Sequence, residues 1–190
     1  DAKKILDVGC GMGLFGEQLK KKLNAEVWGM ELDNKSGLVA KEKINRVLIG
    51  DVFQLINDLP NTYFDCIVFN DILEHLADPF SLLSRIKEKL STNGVIVCSI
   101  PNVRYFINLK NLLVQKQWKY EDAGILDKTH LRFFTQKSIV DMFESLDYKI
   151  IKMEGINPIN SWKFTLLNIL SLRYLSDTEY LQFACVAKPK

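Results

Sequence analysis

Short apolar runs alternate along this 190-residue chain with stretches in which apolar positions recur three and four residues apart. The runs at 3–8 (KKILDV), 25–30 (AEVWGM), 46–49 (RVLI), 64–69 (FDCIVF) and 94–100 (GVIVCSI) have the length and apolar character of buried strands. Helices are expected between them at 13–23, 34–43, 52–57 and 79–90. In PFSLLSRIKEKL, residues 79–90, Phe80, Leu83, Ile86 and Leu90 recur at helical spacing. Asp78 supplies an N-cap, Pro79 suits the first turn, and STNG should stop the element. Strand and helix units of this length, in alternation, predict a parallel sheet covered on both faces.

The last third changes character. After Pro101 comes an amphipathic stretch at 103–117, then a polar loop, KYEDAGILDKTH. A helix is expected at 136–146, followed by two strands, YKIIKMEG and YLQFACVAKP. Between these strands lies INPINSWKFTLLNILSLRYL, apolar but broken by Pro158, Asn160, Lys163, Asn168 and Arg173. No internal repeat, low-complexity tract or linker divides the chain. Residues 1–190 are therefore expected to form a single domain, with elaborations at about 102–135 and 156–176 forming a lid or acceptor region.

Charge and cysteine content narrow the classes. With 25 basic and 23 acidic residues the net charge is +2, which argues against a strongly electrostatic nucleic-acid binder, and DNA is not expected as a partner. Cys10, Cys66, Cys98 and Cys185 are far apart and form no CxxC pair, so neither a zinc site nor a disulfide framework is expected. A reducing cytoplasm fits that usage. No uninterrupted apolar run reaches the roughly 18 residues of a membrane span, and no secretory signal is visible. The chain opens at DAKKILDV without a methionine, which reads as a fragment lacking N-terminal residues.

Residues 5–19, ILDVGCGMGLFGEQL, carry two overlapping glycine patterns. Gly9, Gly11 and Gly13 form GxGxG, while Gly11, Gly13 and Gly16 form GxGxxG. Either would bring a strand–turn–helix close to a nucleotide-like ligand. Charge discriminates between them. No Lys or Arg lies between Asp7 and Glu17, and Asp7 stands just before the glycines. A carboxylate there opposes a pyrophosphate and favours a cation. S-adenosylmethionine, with a sulfonium and an ammonium and no phosphate, suits the loop better than a dinucleotide; the plainer reading is that Asp7 caps the following turn. Glu31 ends the next strand in VWGMELD, where a carboxylate can accept both ribose hydroxyls, with Asp33 as the fallback or as the N-cap of the next helix. In LIGDVFQL, Asp51 could accept the adenine amino group with Val52 against the ring, or could simply cap a helix.

The order ILDVGCGMG, VWGMELD, LIGDVFQL, FDCIVFNDILEHLADP, GVIVCSIPN resembles the class I S-adenosylmethionine-dependent methyltransferases over nearly the whole chain. That resemblance implies an α/β, Rossmann-like, doubly wound seven-stranded sheet, mostly parallel with one antiparallel strand and helices on both faces. YLQFACVAKP suits the antiparallel strand. It also implies S-adenosyl-L-methionine as cofactor and S-adenosyl-L-homocysteine as product. Asp7, Gly9, Cys10, Gly11 and Gly13 would surround the methionine part. Glu31 and Leu32 would hold the ribose, Asp51 and Val52 the adenine, and Asn70 the region after the fourth strand. The family's usual N-terminal helix has no counterpart before the first strand here.

Only two histidines exist, His75 and His130. If NDILEHL is helical, Asp71, Glu74 and His75 stand at i, i+3 and i+4 on one face. DKTHLRFFT adds Asp127, His130 and Arg132. Three readings stay open: scaffold, with His130 ordering its loop by bonding Asp127; a metal-free base at His130; or carboxylates and imidazoles holding Mg²⁺ or Mn²⁺. The candidate catalytic residues are His130, Asp71 and His75, and no residue is assigned to a metal. The third constellation resembles the small-RNA 3′-terminal 2′-O-methyltransferases, with Asp71 replacing the first Glu of Glu-x-x-Glu-His. The block DKTHLRFFTQKSIVDMFESLDY resembles a bacterial small-molecule, glycan and ubiquinone-pathway O-methyltransferase group. This implies methylation of an oxygen on a small-molecule or glycan acceptor. The alternatives are a metal-assisted RNA 2′-O-methyltransferase and a non-catalytic S-adenosylmethionine-binding module. No Asn/Asp-Pro-Pro-Tyr/Phe motif follows the fourth strand, which counts against the amino-methyltransferases of DNA bases and glutamine; no Tyr-x-x-x-Lys set points to an NAD(P)-dependent oxidoreductase. Tyr105, Phe106, Trp118, Trp162 and Phe164 are expected in the core or a homodimer contact, with an acceptor pocket or lid as the other reading. The stretch 161–175 could alternatively touch a membrane carrying a lipid-linked substrate.

Overall fold

The structure, a computed structural model, describes residues 2–190. Seven strands form one sheet: β1 (Lys4–Val8), β2 (Glu26–Glu31), β3 (Arg46–Ile49), β4 (Phe64–Asn70), β5 (Leu90–Pro101), β6 (Tyr148–Pro158) and β7 (Tyr180–Pro189). Their order is β3-β2-β1-β4-β5-β7-β6. The first five pair in parallel, and β7 inserts antiparallel to both β5 and β6. This is the class I methyltransferase sheet that the motif order implied.

Side-chain alternation along the central strands explains why both faces need cover. Ile5, Val27, Cys66 and Val68 point to one buried cluster with Ala40, Ile44 and Val47. Leu6, Val8, Met30, Ile67 and Phe69 point to the other, where Leu82, Leu83, Ile86 and Phe143 meet them. The covering helices are α1 (Leu14–Leu23), α2 (Asn34–Ala40), α3 (Val52–Leu55), α4 (Pro79–Ile86) and α6 (Gln136–Ser145). The two remaining helices, α5 (Phe106–Val114) and α7 (Trp162–Leu170), belong to the C-terminal elaborations. Caps set several boundaries. Asp33 accepts from Ser36 N at 2.8 Å, Asp78 from Ser81 N at 3.0 Å, and Thr135 with Ser138 forms a reciprocal capping box ahead of α6.

Local sequence signals misjudge three places. The helix expected at 79–90 loses α geometry after Ile86 and finishes as a 3₁₀ turn, Lys87–Lys89. STNG lies inside β5 as a bulge: pairing with β4 jumps from Phe64↔Leu90 to Cys66↔Val95. NDILEHL is not an α-helix. Asp71 has φ +52°, and only Leu73–His75 makes a 3₁₀ turn.

The elaborations clamp onto one another where β5 ends and β7 begins. Buried Asn102 donates from Nδ2 to Asp177 O at 2.8 Å and Tyr180 O at 2.9 Å, and its Oδ1 accepts from Arg104 N at 3.0 Å. Arg104 pairs with Asp177 at 2.6 Å, and the Phe106 and Phe164 rings lie 5.0 Å apart. Among the described residues, no helix is long and apolar enough to cross a membrane.

Candidate active site

β1 lies between β2 and β4, where the strand order reverses, and the loops at its carboxyl end open a crevice. The glycine loop folds over the end of β2: Gly9 N and Cys10 N both donate to Met30 O, at 2.8 and 3.1 Å. Two of its glycines are required by geometry. Gly9 has φ +74°, and a Cβ there would stand 2.0 Å from Ile72 Cδ1. Gly13 also has φ +74°, and a Cβ there would meet the Ala40 Cα at 3.0 Å. Glu31 props the loop from below, its Oε2 accepting from Gly11 N at 2.7 Å and its Oε1 from Asp33 N at 2.9 Å. Asp51 caps α3 by accepting from Phe53 N at 2.7 Å.

A cavity of about 460 Å³ sits against these groups. Gly9, Glu31, Leu32, Asp51 and Val52, all expected at the cofactor, line it. Asp7, Cys10, Gly11, Gly13 and Asn70 do not. Asp7 is buried beneath the loop, facing α1 across Gly16, and burial, reinforced by Glu31, pushes its carboxyl up to about 7. Cys10 is packed against Gly29, and burial raises its thiol to about 12. Both residues support the glycine loop from the side of the core. The wall includes Phe53, Ile72, His75, Leu76 and Ala77, of which only His75 was singled out beforehand, and for catalysis. The signal was available: each follows an acidic anchor or a strand end by a few positions.

His75 also lines a second, smaller cavity of about 210 Å³, together with Asp71, Glu74, Asp127, His130 and Gln182. The two imidazoles meet edge to face with centroids 4.6 Å apart. His130 Nδ1 lies 3.0 Å from Ile125 O. A carbonyl only accepts, so Nδ1 carries the proton and Nε2 the lone pair. Thr129 Oγ1 donates to Asp127 at 2.6 Å, leaving its oxygen to accept from His75 Nδ1 at 3.1 Å. Asp127 therefore orders Thr129, and His130 meets Asp127 through the backbone, its N donating to Asp127 O at 3.1 Å, while its ring turns to Ile125. Leu131 N and Arg132 N donate to Glu74 O, at 2.8 and 3.0 Å, which seats the 127–132 segment on the 3₁₀ turn.

The face expected to carry Asp71, Glu74 and His75 does not exist as such. Left-handed backbone at Asp71 turns its carboxylate to Ser99 Oγ at 3.0 Å and Gln182 Nε2 at 2.9 Å. Glu74 joins the histidines instead, with one donor atom each from Glu74, His75 and His130 all within 4.8 Å of one another. Glu74 is buried, neither carboxyl oxygen has a hydrogen-bond partner, and desolvation raises it to about 8. An orphaned buried carboxyl beside two imidazoles is a donor set that fits a divalent ion.

Comparison with known proteins places these features in context. A family model described as a methyltransferase domain matches residues 1–153. The chain is 28% identical over 188 residues to the ubiquinone biosynthesis O-methyltransferase of Cereibacter sphaeroides, a match spanning 91% of this chain and 72% of that one. A SAM-dependent methyltransferase from Archaeoglobus fulgidus shares the fold with a TM-score of 0.71 at 22% identity, over 98% of this chain and 86% of its own. The plantazolicin methyltransferase BpumL, solved in complex with SAH, shares it at 0.66 and 21% identity, over 100% and 77%.

Proposed function

The chain belongs to the S-adenosylmethionine-dependent methyltransferases, and from that premise we propose that it methylates a hydroxyl oxygen of a small molecule or glycan precursor, with His130 as general base. The observation that carries this reading is the join at His75 between the cavity beside Glu31 and Asp51 and the smaller cavity that holds His130. Among the described residues the Nε2 of neither histidine is hydrogen-bonded. The curated relative's name, an O-methyltransferase, supports oxygen as the acceptor atom.

The donor is already activated, so the protein must align the acceptor, exclude water and take a proton. S-adenosylmethionine, when bound, would supply an electrophilic methyl group on a sulfonium, with the thioether sulfur of S-adenosylhomocysteine as the leaving group. His130 Nε2 takes the hydroxyl proton, while the Nδ1–H bond to Ile125 O holds the ring and supports the imidazolium. Glu31 offers its remaining lone pairs to the ribose hydroxyls and Asp51 its free oxygen to the adenine amino group.

His130→Ala should lower methyl transfer from labelled S-adenosylmethionine to a panel of phenols and sugars by about 100-fold or more. Affinity for S-adenosylhomocysteine should be unchanged; undiminished turnover removes His130 from the mechanism. Glu31→Ala should weaken S-adenosylhomocysteine binding by about 1–3 kcal/mol. Equal calorimetric affinity would move the cofactor elsewhere.

The orphaned Glu74 favours one second reading, in which Glu74, His75 and His130 hold Mg²⁺ or Mn²⁺. Such an ion would lower the pKa of a bound hydroxyl, and vicinal diols or RNA ends would become the first acceptors to try. Calorimetric titration of Mn²⁺ into protein saturated with S-adenosylhomocysteine decides it. Stoichiometric heat that His75→Ala abolishes supports the ion, and absence of heat leaves the metal-free base.

A further inference from the structure

The two histidines are held by different means. The His130 ring is fixed by a backbone carbonyl, Ile125 O. The His75 ring is fixed by a chain of groups to which general-base chemistry at His130 gives no use. Its Nδ1 lies 3.1 Å from Thr129 Oγ1 and 3.3 Å from Thr129 O. That hydroxyl lies 2.6 Å from Asp127 Oδ1, the same oxygen that accepts from Thr129 N at 2.7 Å. Donor and acceptor counts give the chain a direction. A hydroxyl has one proton to give, and an ionised carboxylate only accepts. The Thr129 proton therefore goes to Asp127, and what the hydroxyl offers His75 is a lone pair. The Thr129 carbonyl offers another. Both require a proton on His75 Nδ1, which leaves Nε2 with the lone pair.

Without the carboxylate the hydroxyl is free to turn. It can then donate to Nδ1, and the ring's own proton moves to Nε2. Asp127 thus decides the tautomer through an intervening hydroxyl, as a carboxylate does directly in a hydrolytic triad. The backbone keeps the chain in register. Leu131 N and Arg132 N donate to Glu74 O on one side of His75, and the Arg132 guanidinium donates to Ala77 O on the other. Thr129 is therefore held beside the imidazole by the segments that carry both residues. Position gives the tautomer its use. His75 lines both the cavity beside Glu31 and Asp51 and the smaller cavity that holds His130. A lone pair on Nε2 is needed there whether the histidines take up a proton or hold a divalent ion.

We propose that Asp127, acting through the Thr129 hydroxyl, is a positioning residue that holds His75 in the Nδ1–H tautomer for methyl transfer. This rests on the reading that the histidine pair serves the reaction, as base or as ligands, but its first test does not use turnover. The chain has only two histidines, so a long-range proton–nitrogen NMR spectrum of histidine-labelled protein shows two imidazoles, which His75→Ala assigns. In alkaline buffer with S-adenosylhomocysteine bound, both rings should carry their proton on Nδ1. Asp127→Ala should move His75 toward the Nε2–H form and leave His130 as it was. Asp127→Asn, whose amide oxygen still accepts from the hydroxyl, should keep the original form. Thr129 is exposed, so Thr129→Val decides if Asp127→Ala fails to fold, and it should give His75 a mixture of tautomers. Asp127→Ala should also lower kcat about tenfold or more, with KM for S-adenosylmethionine unchanged, and Asp127→Asn should restore it. A His75 ring protonated at Nε2 in the unaltered protein overturns the proposal, as does a tautomer that moves in neither variant. So does full turnover in a protein whose His75 tautomer has moved. Failure of the base reading shows elsewhere, as undiminished turnover in His130→Ala.

Discussion

Asp7 keeps its proton into a pH range where a solvated aspartate has already lost it, because its carboxyl is buried under the glycine loop near Glu31. The sign follows from proton counts. The folded state binds a proton that the unfolded chain releases, so stability present below about pH 4 is lost as pH rises toward the folded value of about 7. Glu74, raised to about 8, adds a second loss of the same sign. Each proton contributes a slope of at most about 1.4 kcal/mol per pH unit. Urea unfolding of the ligand-free protein between pH 4 and 7 should therefore show declining stability, and Asp7→Asn should flatten the decline. Identical slopes in both proteins would mean that Asp7 is ionised throughout. A cationic cofactor favours the ionised form, so its binding should release part of this proton.

At the level of elements, Asn102 is the joint between sheet and elaborations. It follows the end of β5, pairs with Phe134 ahead of α6, and bonds the turn that leads into β7. Its side chain is fully buried, so truncation removes the partner of two carbonyls and one amide. Each unpaired buried group costs about 1–3 kcal/mol. Asn102→Ala should therefore lower unfolding free energy by at least about 2 kcal/mol. Hydrogen exchange should quicken in α5 and the Ser176–Glu179 turn before the β1–β4 core. Uniform exchange with an unchanged denaturation midpoint would show that the elaborations are held by their aromatic contacts alone.

For the whole molecule, the cavity proposed for the cofactor is assembled from the ends of β1, β2 and β3 and from the 3₁₀ turn after β4, so a ligand there ties together elements from four parts of the chain. S-adenosylhomocysteine at a hundredfold excess over Kd should add about 2.7 kcal/mol, and for a domain of this size about 2–4 °C of Tm per kcal/mol. A thermogram without a shift would contradict the cofactor assignment. What the sequence determined by itself were features fixed within a few residues. Strand and helix alternation follows from side-chain period, and Asp33, Asp51 and Asp78 cap helices through bonds two or three positions away. The glycine turn followed from glycine spacing, and the antiparallel β7 was implied by the family resemblance. Tertiary structure decided what depends on partners remote in the chain. Asp71 stays outside the histidine group, its carboxylate taken by Gln182, 111 residues later. Glu74 enters that group because the 127–132 segment, more than 50 residues on, pairs with its backbone. The His130 ring bonds Ile125 O, while the Asp127 carboxylate is taken up by Thr129. Spacing along a chain gives the reach of a side chain, but competition among buried donors and acceptors for partners is resolved only when the distant segments are packed together.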